Sequence, residues 1–423
     1  MGLFFIFAIL AQTCDNKKKD GMDENMTKTI DLQLNAKSIA DIKKGYPLIL
    51  KEAALNPEVL KEEGSIIRLV DRNWRFVAKG YYGEQNKGIG WVLSRDENEQ
   101  IDFDFFEGKI RKALERRESY FNDPITTAFR VFNGEGDGIG GLTIDYFDGF
   151  FMISWYSEGI YKLKHHVYGV LEKIVDYKGI YEKKRFDTKG QYIEQDDFVR
   201  GEQGDFPIIV KENGMNFAID LNDGAMTGIF LDQRDVRQSI RENYSEGKNV
   251  LNTFSYTGAF SVAALHGGAQ KTTNIDLASR SEAKTIEQLS VNGFDYEQQE
   301  IRVMDVFDYF RYAKRHELKF DLVILDPPSF ARSKKYTFST ARNYPELLMD
   351  AIAVTEKNGI IVASTNNASF GMKRFKTFIE KAFNDADSIY KILEESSLPR
   401  DFRTSRDFPE FNYLKVVILQ KTK

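Results

Sequence analysis

The chain reads as an α/β protein. A doubly wound sheet occupies its C-terminal half, behind a small β-barrel-like module and a middle α+β segment. Three observations predict this. From Asn249 onward, short β-forming runs alternate with segments of helical period, the pattern of βαβ units. From Thr27 to about Gln100 the pattern is instead short alternating strands and turns with little helical periodicity. Between these stretches both periods occur, around a glycine-dense turn.

Residues 1–26 stand apart. Gly2 to Ala11 is apolar but far shorter than the roughly 20 residues of a spanning helix. No Lys or Arg precedes it, so the basic start of a secretory signal is missing, and Ala11-Gln12-Thr13-Cys14 fits a lipoprotein cleavage box badly. We expect a non-native or disordered extension here, Met22 or Met26 as the natural start, a cytoplasmic protein and no membrane partner.

Residues 27–102 form the β-module, with strands at Thr29–Leu34, Ser65–Val70 and Trp74–Tyr82, a helix over Lys37–Lys44 and a turn-rich Gly83–Gly90. Residues 103–205 form the middle subdomain. Its first helix, Phe105–Phe121, has a face carrying Lys109, Arg111, Lys112, Arg116 and Arg117, which reads either as a solvated face or as a contact for an RNA backbone. The glycine-dense Arg130–Leu142 follows, then strands at Leu142–Asp145 and Phe150–Trp155, a helix over Tyr161–Val175, a strand at Gly179–Glu182 and a charged linker, Asp196–Asp205. Residues 206–423 hold the doubly wound domain, with an amphipathic helix at Asp235–Asn243. Its strands are expected at Asn249–Thr253, Lys271–Asp276, Glu300–Met304, Asp321–Leu325, Gly359–Ser364 and Tyr413–Gln420. Helices at 258–266, 278–291, 306–316, 342–357 and 371–383 separate them.

At 423 residues the chain has room for two or three domains. A net charge of −5 argues against wholesale coating by nucleic acid, so any RNA contact must come from a local basic patch. One cysteine, Cys14, excludes an intrachain disulfide or cysteine metal site, and four scattered histidines offer no useful ligand pair, so no metal is expected. The oligomeric state is left open, a homodimer included.

The most informative segment is Phe320 to Phe330, a run of β-formers ending in Asp326-Pro327-Pro328-Ser329-Phe330. Each proline removes a ladder donor, so pairing stops where the carboxylate emerges. Ligands in open parallel sheets sit beyond the strand carboxyl ends, which would point Asp326 and Phe330 into a site. A plain strand-to-loop exit is the alternative. The loop resembles the substrate loop of S-adenosylmethionine-dependent methyltransferases that act on bases or amide nitrogens.

Other strand ends fit such a cofactor. Asn252 to Phe260 contains only Gly258 where a dinucleotide fingerprint has several glycines, so close approach to a pyrophosphate is not provided for. S-adenosylmethionine has no phosphate and needs only a loop that curves around it. Asp276 ends the next strand, where an acid can accept both ribose hydroxyls, and Asp305-Val306-Phe307 ends the third, where an acid can take the adenine amino group. Each acid alone also reads as a turn residue or helix cap. Upstream, Arg234 would pair with the cofactor carboxylate and Gln233 would hydrogen-bond it, unless Arg234 serves a structural ion pair.

The whole chain from Thr27 to Lys423 resembles bacterial large-subunit (23S) rRNA methyltransferases with an N-terminal PUA domain. Gly45-Tyr46-Pro47, Asn133-Gly134-Glu135, Gly141 to Asp145, Gly228 to Arg234, Asn252 to Phe260, Asp276-Leu277, Asn292-Gly293 and Asp326 to Phe330 carry the match. The resemblance implies a PUA-like RNA-binding domain, a middle α+β subdomain and a class I (Rossmann-like) methyltransferase domain. It implies S-adenosyl-L-methionine as cofactor and ribosomal RNA as partner. The expected cofactor site comprises Gln233, Arg234, Phe254, Tyr256, Thr257, Gly258, Asp276, Leu277, Asp305, Val306 and Asp326; the expected catalytic set is Asp326, Pro327, Pro328, Phe330 and Asn366.

One departure bears on the target atom. Cytosine C5 is not nucleophilic by itself, and its methylation needs a thiolate that adds to C6. Cytosine-C5 members of the family carry that cysteine just after the fifth strand. Here the strand exits as Ala363-Ser364-Thr365-Asn366-Asn367-Ala368-Ser369-Phe370, and Pro327-Pro328-Ser329 holds none either. Asn366-Asn367 with Phe370 looks like the guanine-N7 branch of the superfamily, where positioning suffices. The expectation is therefore methylation of a base nitrogen. The alternatives are cytosine C5 by family label, or a non-catalytic RNA-binding assembly factor.

Overall fold

The computed structural model describes residues 29–85, 87–186, 197–222, 224, 227–332 and 337–423. The expectations for residues 1–26, and with them Cys14, lie outside the described residues.

Five strands build the first module: β1 (Ile30–Gln33), β2 (Leu48–Leu50), β3 (Ile66–Val70), β4 (Phe76–Tyr82) and β5 (Gly88–Ser94), in the order β1-β3-β4-β5-β2. The segment after β2 folds back on the edge strand. Leu55 N–H donates to Gln33 O at 2.8 Å and Asn35 N–H to Ala53 O at 2.9 Å, which satisfies the open edge and closes a small barrel. The helix α1 (Ala36–Lys44) starts where the Asn35 side chain accepts from Ser38 N–H at 2.9 Å. Leu32, Leu34, Ile42, Ile49, Ile67 and Leu69 fill the barrel. The turn-rich reading of Gly83–Gly90 hid the start of β5. Gly90 lies in that strand because a Cβ there would stand 2.2 Å from Tyr81 O.

The middle segment is a five-stranded sheet, β6 (Ala128–Asn133), β7 (Leu142–Phe147), β8 (Phe150–Trp155), β9 (Gly179–Lys184) and β10 (Phe198–Gly201), in the order β10-β9-β8-β7-β6. Around it run α2 (Phe103–Arg116), α3 (Glu118–Phe121), a single turn α4 (Gly134–Asp137), α5 (Glu158–Lys162) and α6 (Lys164–Ile174). Two expected helices are thus each interrupted, at Arg117 and at Leu163. The expected linker at Asp196–Asp205 contains β10, which pairs with β9. Tyr81, Trp91 and Leu93 of the barrel share one core with Phe106, Phe132, Leu142 and Trp155, so the two parts fold against a common interior.

The third part opens with a hairpin, β11 (Ile208–Glu212) and β12 (Met215–Ile219), and α7 (Arg234–Ser239), which continues into a wide turn over Ile240–Tyr244. Its sheet contains β13 (Asn249–Thr253), β14 (Lys271–Asp276), β15 (Glu300–Val303) and β16 (Phe320–Leu325). A two-stranded hairpin, β17 (Phe330–Arg332) with β18 (Thr337–Ser339), stands apart from it. The sheet is completed by β19 (Thr355–Thr365), β20 (Tyr390–Ser396) and β21 (Lys415–Lys421), in the order β15-β14-β13-β16-β19-β21-β20. Its helices are α8 (Ala259–His266), α9 (Ser281–Ser290), α10 (Val306–Arg315), α11 (Thr340–Val354) and α12 (Met372–Asp385). Alternate residues of the central strands go to opposite faces. Val323, Leu325 and Ile361 pack with α10, α11 and α12, while Leu322, Ile324 and Val362 pack with α7 and α8. The sheet is therefore covered on both sides, as a near-continuous apolar β16 requires. Its edge is not parallel: β21 runs antiparallel to β19 and β20. β20 was missed because Lys391, Glu394 and Glu395 break up its apolar alternation at the sheet edge.

Candidate active site

The C-terminal ends of β13, β14, β15, β16 and β19 border a cleft of about 500 Å³. Gln233, Phe254, Tyr256, Asp276, Leu277, Asp305, Val306, Asp326, Pro327, Pro328 and Asn366 line it. Arg234, Thr257, Gly258 and Phe330 are not among its walls.

The loop after β13 owes its curve to three left-handed residues, Phe254 at φ +55°, Tyr256 at +52° and Gly258 at +78°. For a side-chain-bearing residue that conformation costs about 1–2 kcal/mol, so the surroundings must enforce it. They do: Ser255 N–H donates to Ile275 O at 3.0 Å, and Tyr256 N–H donates to Asp276 Oδ2 at 2.9 Å. Asp276 Oδ1 accepts from Ala278 N–H at 2.8 Å. Each carboxylate oxygen retains a second lone pair for a ligand. Thr257 and Gly258 support this loop from behind. Thr257 Oγ1 donates to Gly228 O at 2.7 Å, and a Cβ on Gly258 would stand 2.8 Å from Thr285 Cγ2.

Asp305 caps α10, with Oδ1 accepting from Phe307 N–H at 2.9 Å. Asp305 also lines the cleft beside Val306 and Phe307, so its capping role leaves it at the cleft wall.

Asp326 leaves β16 and accepts from Gln233 Nε2 at 3.1 Å; the same nitrogen donates to Ser364 Oγ at 2.9 Å. Burial, with the charge of Asp232 adding to it, pushes the Asp326 carboxyl up to about 6, against the Ser364 and Gln233 hydrogen bonds and Arg237, which favour ionisation. Gln233 corrects its expectation. Its N–H groups are committed to Asp326 and Ser364, so it does not offer a donor to a carboxylate. What it presents is Oε1, buried and without a partner, an acceptor suited to an ammonium or amino group.

Arg234 is a second correction. Its guanidinium is bound to both Asp401 oxygens, Nη1 to Oδ2 at 3.2 Å and Nη2 to Oδ1, and Nη2 reaches Tyr120 Oη at 3.2 Å. Successive helical positions diverge by about 100°, so when Gln233 faces the cleft Arg234 faces the middle segment. Phe330 is the third. It is 62% exposed on β17, where the strand period turns Ala331 inward instead. The aromatic side of the cleft is formed by Phe338, Phe254 and Phe307, with Phe338 5.8 Å from Phe307 and 6.4 Å from Phe254, ring centre to ring centre.

Asn366 Oδ1 accepts from Ser329 Oγ at 2.7 Å, joining the loop after β16 to the exit of β19 and leaving Nδ2 as a donor at the rim. Asp232, which sequence reasoning passed over, lines the same cleft and accepts from Tyr413 Oη at 2.9 Å. Only its place beside Gln233 signalled it. Among the described residues there is no cysteine, no cluster of three or more His, Cys, Asp or Glu that would hold a metal, and no helix long and apolar enough to cross a membrane.

Comparison with known proteins bears on this geometry. A family model of S-adenosylmethionine-dependent methyltransferases matches residues 136–409, and one of PUA-like domains matches residues 32–95. The "Putative ribosomal RNA large subunit methyltransferase YwbD" of Bacillus subtilis is 59% identical over 92% of this chain and 99% of its own length. Ribosomal RNA large subunit methyltransferase I of Pseudoalteromonas translucida is 30% identical over 89% of this chain and 96% of its own length. Among solved structures, SMU.776 complexed with SAH superposes with a TM-score of 0.85 at 36% identity, covering 92% of this chain and all of that one. Fold, cleft and matches agree: the chain belongs to the S-adenosylmethionine-dependent methyltransferase family, with a PUA-like domain at its N-terminus.

Proposed function

We propose that this enzyme methylates a base nitrogen of 23S ribosomal RNA, with guanine N7 as the acceptor type. The observation that carries the atom assignment is chemical: no wall of the cleft offers a thiol, and β19 delivers Asn366 where a cytosine-C5 mechanism needs a cysteine. The names of the relatives, both large-subunit rRNA methyltransferases, support the RNA.

The residues present fit the cofactor. Asp276 has acceptor capacity left for ribose hydroxyls, and Asp305 with Val306 suits an adenine edge. The orphaned Gln233 Oε1 suits the ammonium of the methionine portion. Bound there, S-adenosylmethionine supplies an activated methyl group on a sulfonium. The protein's own part is then to hold and orient. Pro327 and Pro328 give a rigid floor, Phe254 and Phe338 give an apolar wall, and together they accept a base taken out of its stack. Asn366 Nδ2 donates to a carbonyl edge of that base, and ionised Asp326 accepts from an N–H. Guanine N7 is already nucleophilic, so alignment and exclusion of water suffice.

Mass-spectrometric comparison of 23S rRNA from wild-type and deletion cells tests this. A lost methyl on a base nitrogen is expected, with activity retained in Cys14→Ser or in a chain starting at Met26. A trapped covalent complex with RNA carrying 5-fluorocytosine would restore cytosine C5 as the target.

A further inference from the structure

The tip of the β3–β4 hairpin carries a surface that the cleft does not use. Asp71 Oδ1 accepts from Asn73 N–H at 2.7 Å and from Arg75 N–H at 2.9 Å. Asp71 N–H donates to Arg75 O at 2.9 Å, and Trp74 N–H to Asp71 O at 3.0 Å, so the turn is tightly closed. Within it Trp74 adopts φ +63°, a conformation that suits glycine or asparagine better than a bulky side chain. Its indole is 54% exposed, while Trp91 and Trp155, the other two tryptophans, are 6% and 0% exposed. A large ring held in water on a strained residue serves neither packing nor turn propensity.

Two arginines outnumber the one acid of the turn. Arg72 and Arg75 lie close to Trp74 along the chain, both exposed, and neither forms an ion pair among the described residues. Asp71, the acid of the turn, is spent on backbone N–H groups. Those of Arg75 and Asn73, then the charges of Arg75 and Lys43, hold its carboxyl below the usual range. An exposed planar ring between cations suits a nucleic-acid strand, whose bases offer a π-face and whose phosphates offer charge.

Building on the rRNA reading above, we propose that this hairpin tip is an RNA-contacting element in which Trp74 stacks on an unpaired base and Arg72 and Arg75 take flanking phosphates. On a chain of net charge −5, such a local cationic spot decides where an RNA strand can settle.

The probe is unmodified 23S rRNA from cells lacking this gene. Because Trp74 is the solvent-facing indole, rRNA should shield its emission from acrylamide. Trp74→Ala should raise the KM for rRNA about tenfold, with kcat and calorimetric S-adenosylmethionine affinity unchanged. Trp74→Phe, which keeps a stacking ring, should restore most of that loss. Arg72→Ala with Arg75→Ala should reduce the slope of log Kd against log salt by roughly two charges. A wild-type KM in Trp74→Ala together with an unchanged salt slope would overturn the proposal. So would hydrodynamic evidence that a second copy of the chain covers Trp74 and that rRNA does not displace it. Failure of the rRNA reading looks different: the wild-type protein itself would neither bind nor methylate the RNA, and both proposals would fall together.

Discussion

Two carboxylates in the cleft do different work because their surroundings differ. Asp276 meets backbone N–H groups of Tyr256 and Ala278, so it shapes the loop after β13 and still has lone pairs to offer. Asp276→Ala removes both functions, and S-adenosylmethionine affinity should fall by about 1.5–3 kcal/mol, the loss of charge-assisted hydrogen bonds. Calorimetric titration checks this, and an unchanged affinity would reduce Asp276 to a loop brace. Asp326 sits in drier surroundings and titrates near 6. Its ionised form is the one that accepts an N–H, so methylation should rise from pH 5 to 7 with a midpoint near 6, and Asp326→Asn should lack that limb. The sign for stability is opposite. Between the ordinary carboxyl value and 6 the folded apo-protein holds a proton that the unfolded chain has released, so stability falls as pH rises through that window. Asp326→Asn should therefore melt higher than wild type at pH 7.5 while losing activity. A variant that melts at or below wild type there would show that Asp326 is comfortably solvated.

At the scale of elements, what was legible in the sequence follows from how each segment is buried. β16 and β13 are covered on both faces, so their apolar runs could be read directly, together with the acids and prolines that end them. β20, at the edge, carries charge on its exposed side and gave no run to read. The site was legible wherever strand ends decide it: Asp276, Asp305 and Asp326 are all on the cleft. It was illegible wherever one residue's phase decides it. Arg234 and Phe330 each stand one position from a residue that does face the cleft, Gln233 and Ala331, and a local pattern cannot supply the rotation of a short helix or hairpin. The loop after β13 lies between these cases, since its single glycine could be seen but its three left-handed residues could not. That loop gives a test. Gly258→Ala places a Cβ 2.8 Å from Thr285 Cγ2 at φ +78°, and should cost roughly 1–2 kcal/mol of stability. Denaturant titration measures it. A neutral result would mean the loop relaxes freely and is not the fixed cradle described here.

At the scale of the whole molecule, the connection from β20 to β21 holds the three parts together. Phe402 packs in the core beside Phe147, with the Arg130 guanidinium 4.4 Å from its ring centre, and Asn133 Nδ2 donates to Arg403 O at 2.9 Å. Farther along, Phe408 lies 5.7 Å from the Trp91 ring, and Glu410 accepts from Tyr46 Oη at 3.0 Å, both in the barrel. Deleting the barrel would remove Tyr81 and Trp91 and uncover the interior of the middle segment that they close, so point variants are the sounder way to test its part in RNA docking. Asp401 is the keystone of the connection. Its carboxylate binds Arg234 and accepts from Arg130 N–H at 2.8 Å, and its carbonyl accepts from Arg117 Nε at 3.2 Å. Arg234 and Asp401 are almost fully buried, so truncating the acid strands a cation away from water. Asp401→Ala should cost about 3–5 kcal/mol of unfolding free energy. Asp401→Leu combined with Arg234→Met should recover part of it, the shortfall being the Arg130 N–H left unpaired. Calorimetric unfolding should also lose its single transition in Asp401→Ala, as the methyltransferase domain and the barrel–middle unit uncouple. Because the same connection carries Phe408 and Glu410 against the barrel, rRNA methylation should suffer more than S-adenosylmethionine binding. A variant that unfolds at the wild-type denaturant concentration in one transition would show that the shared core, and not this buried pair, fixes the domains.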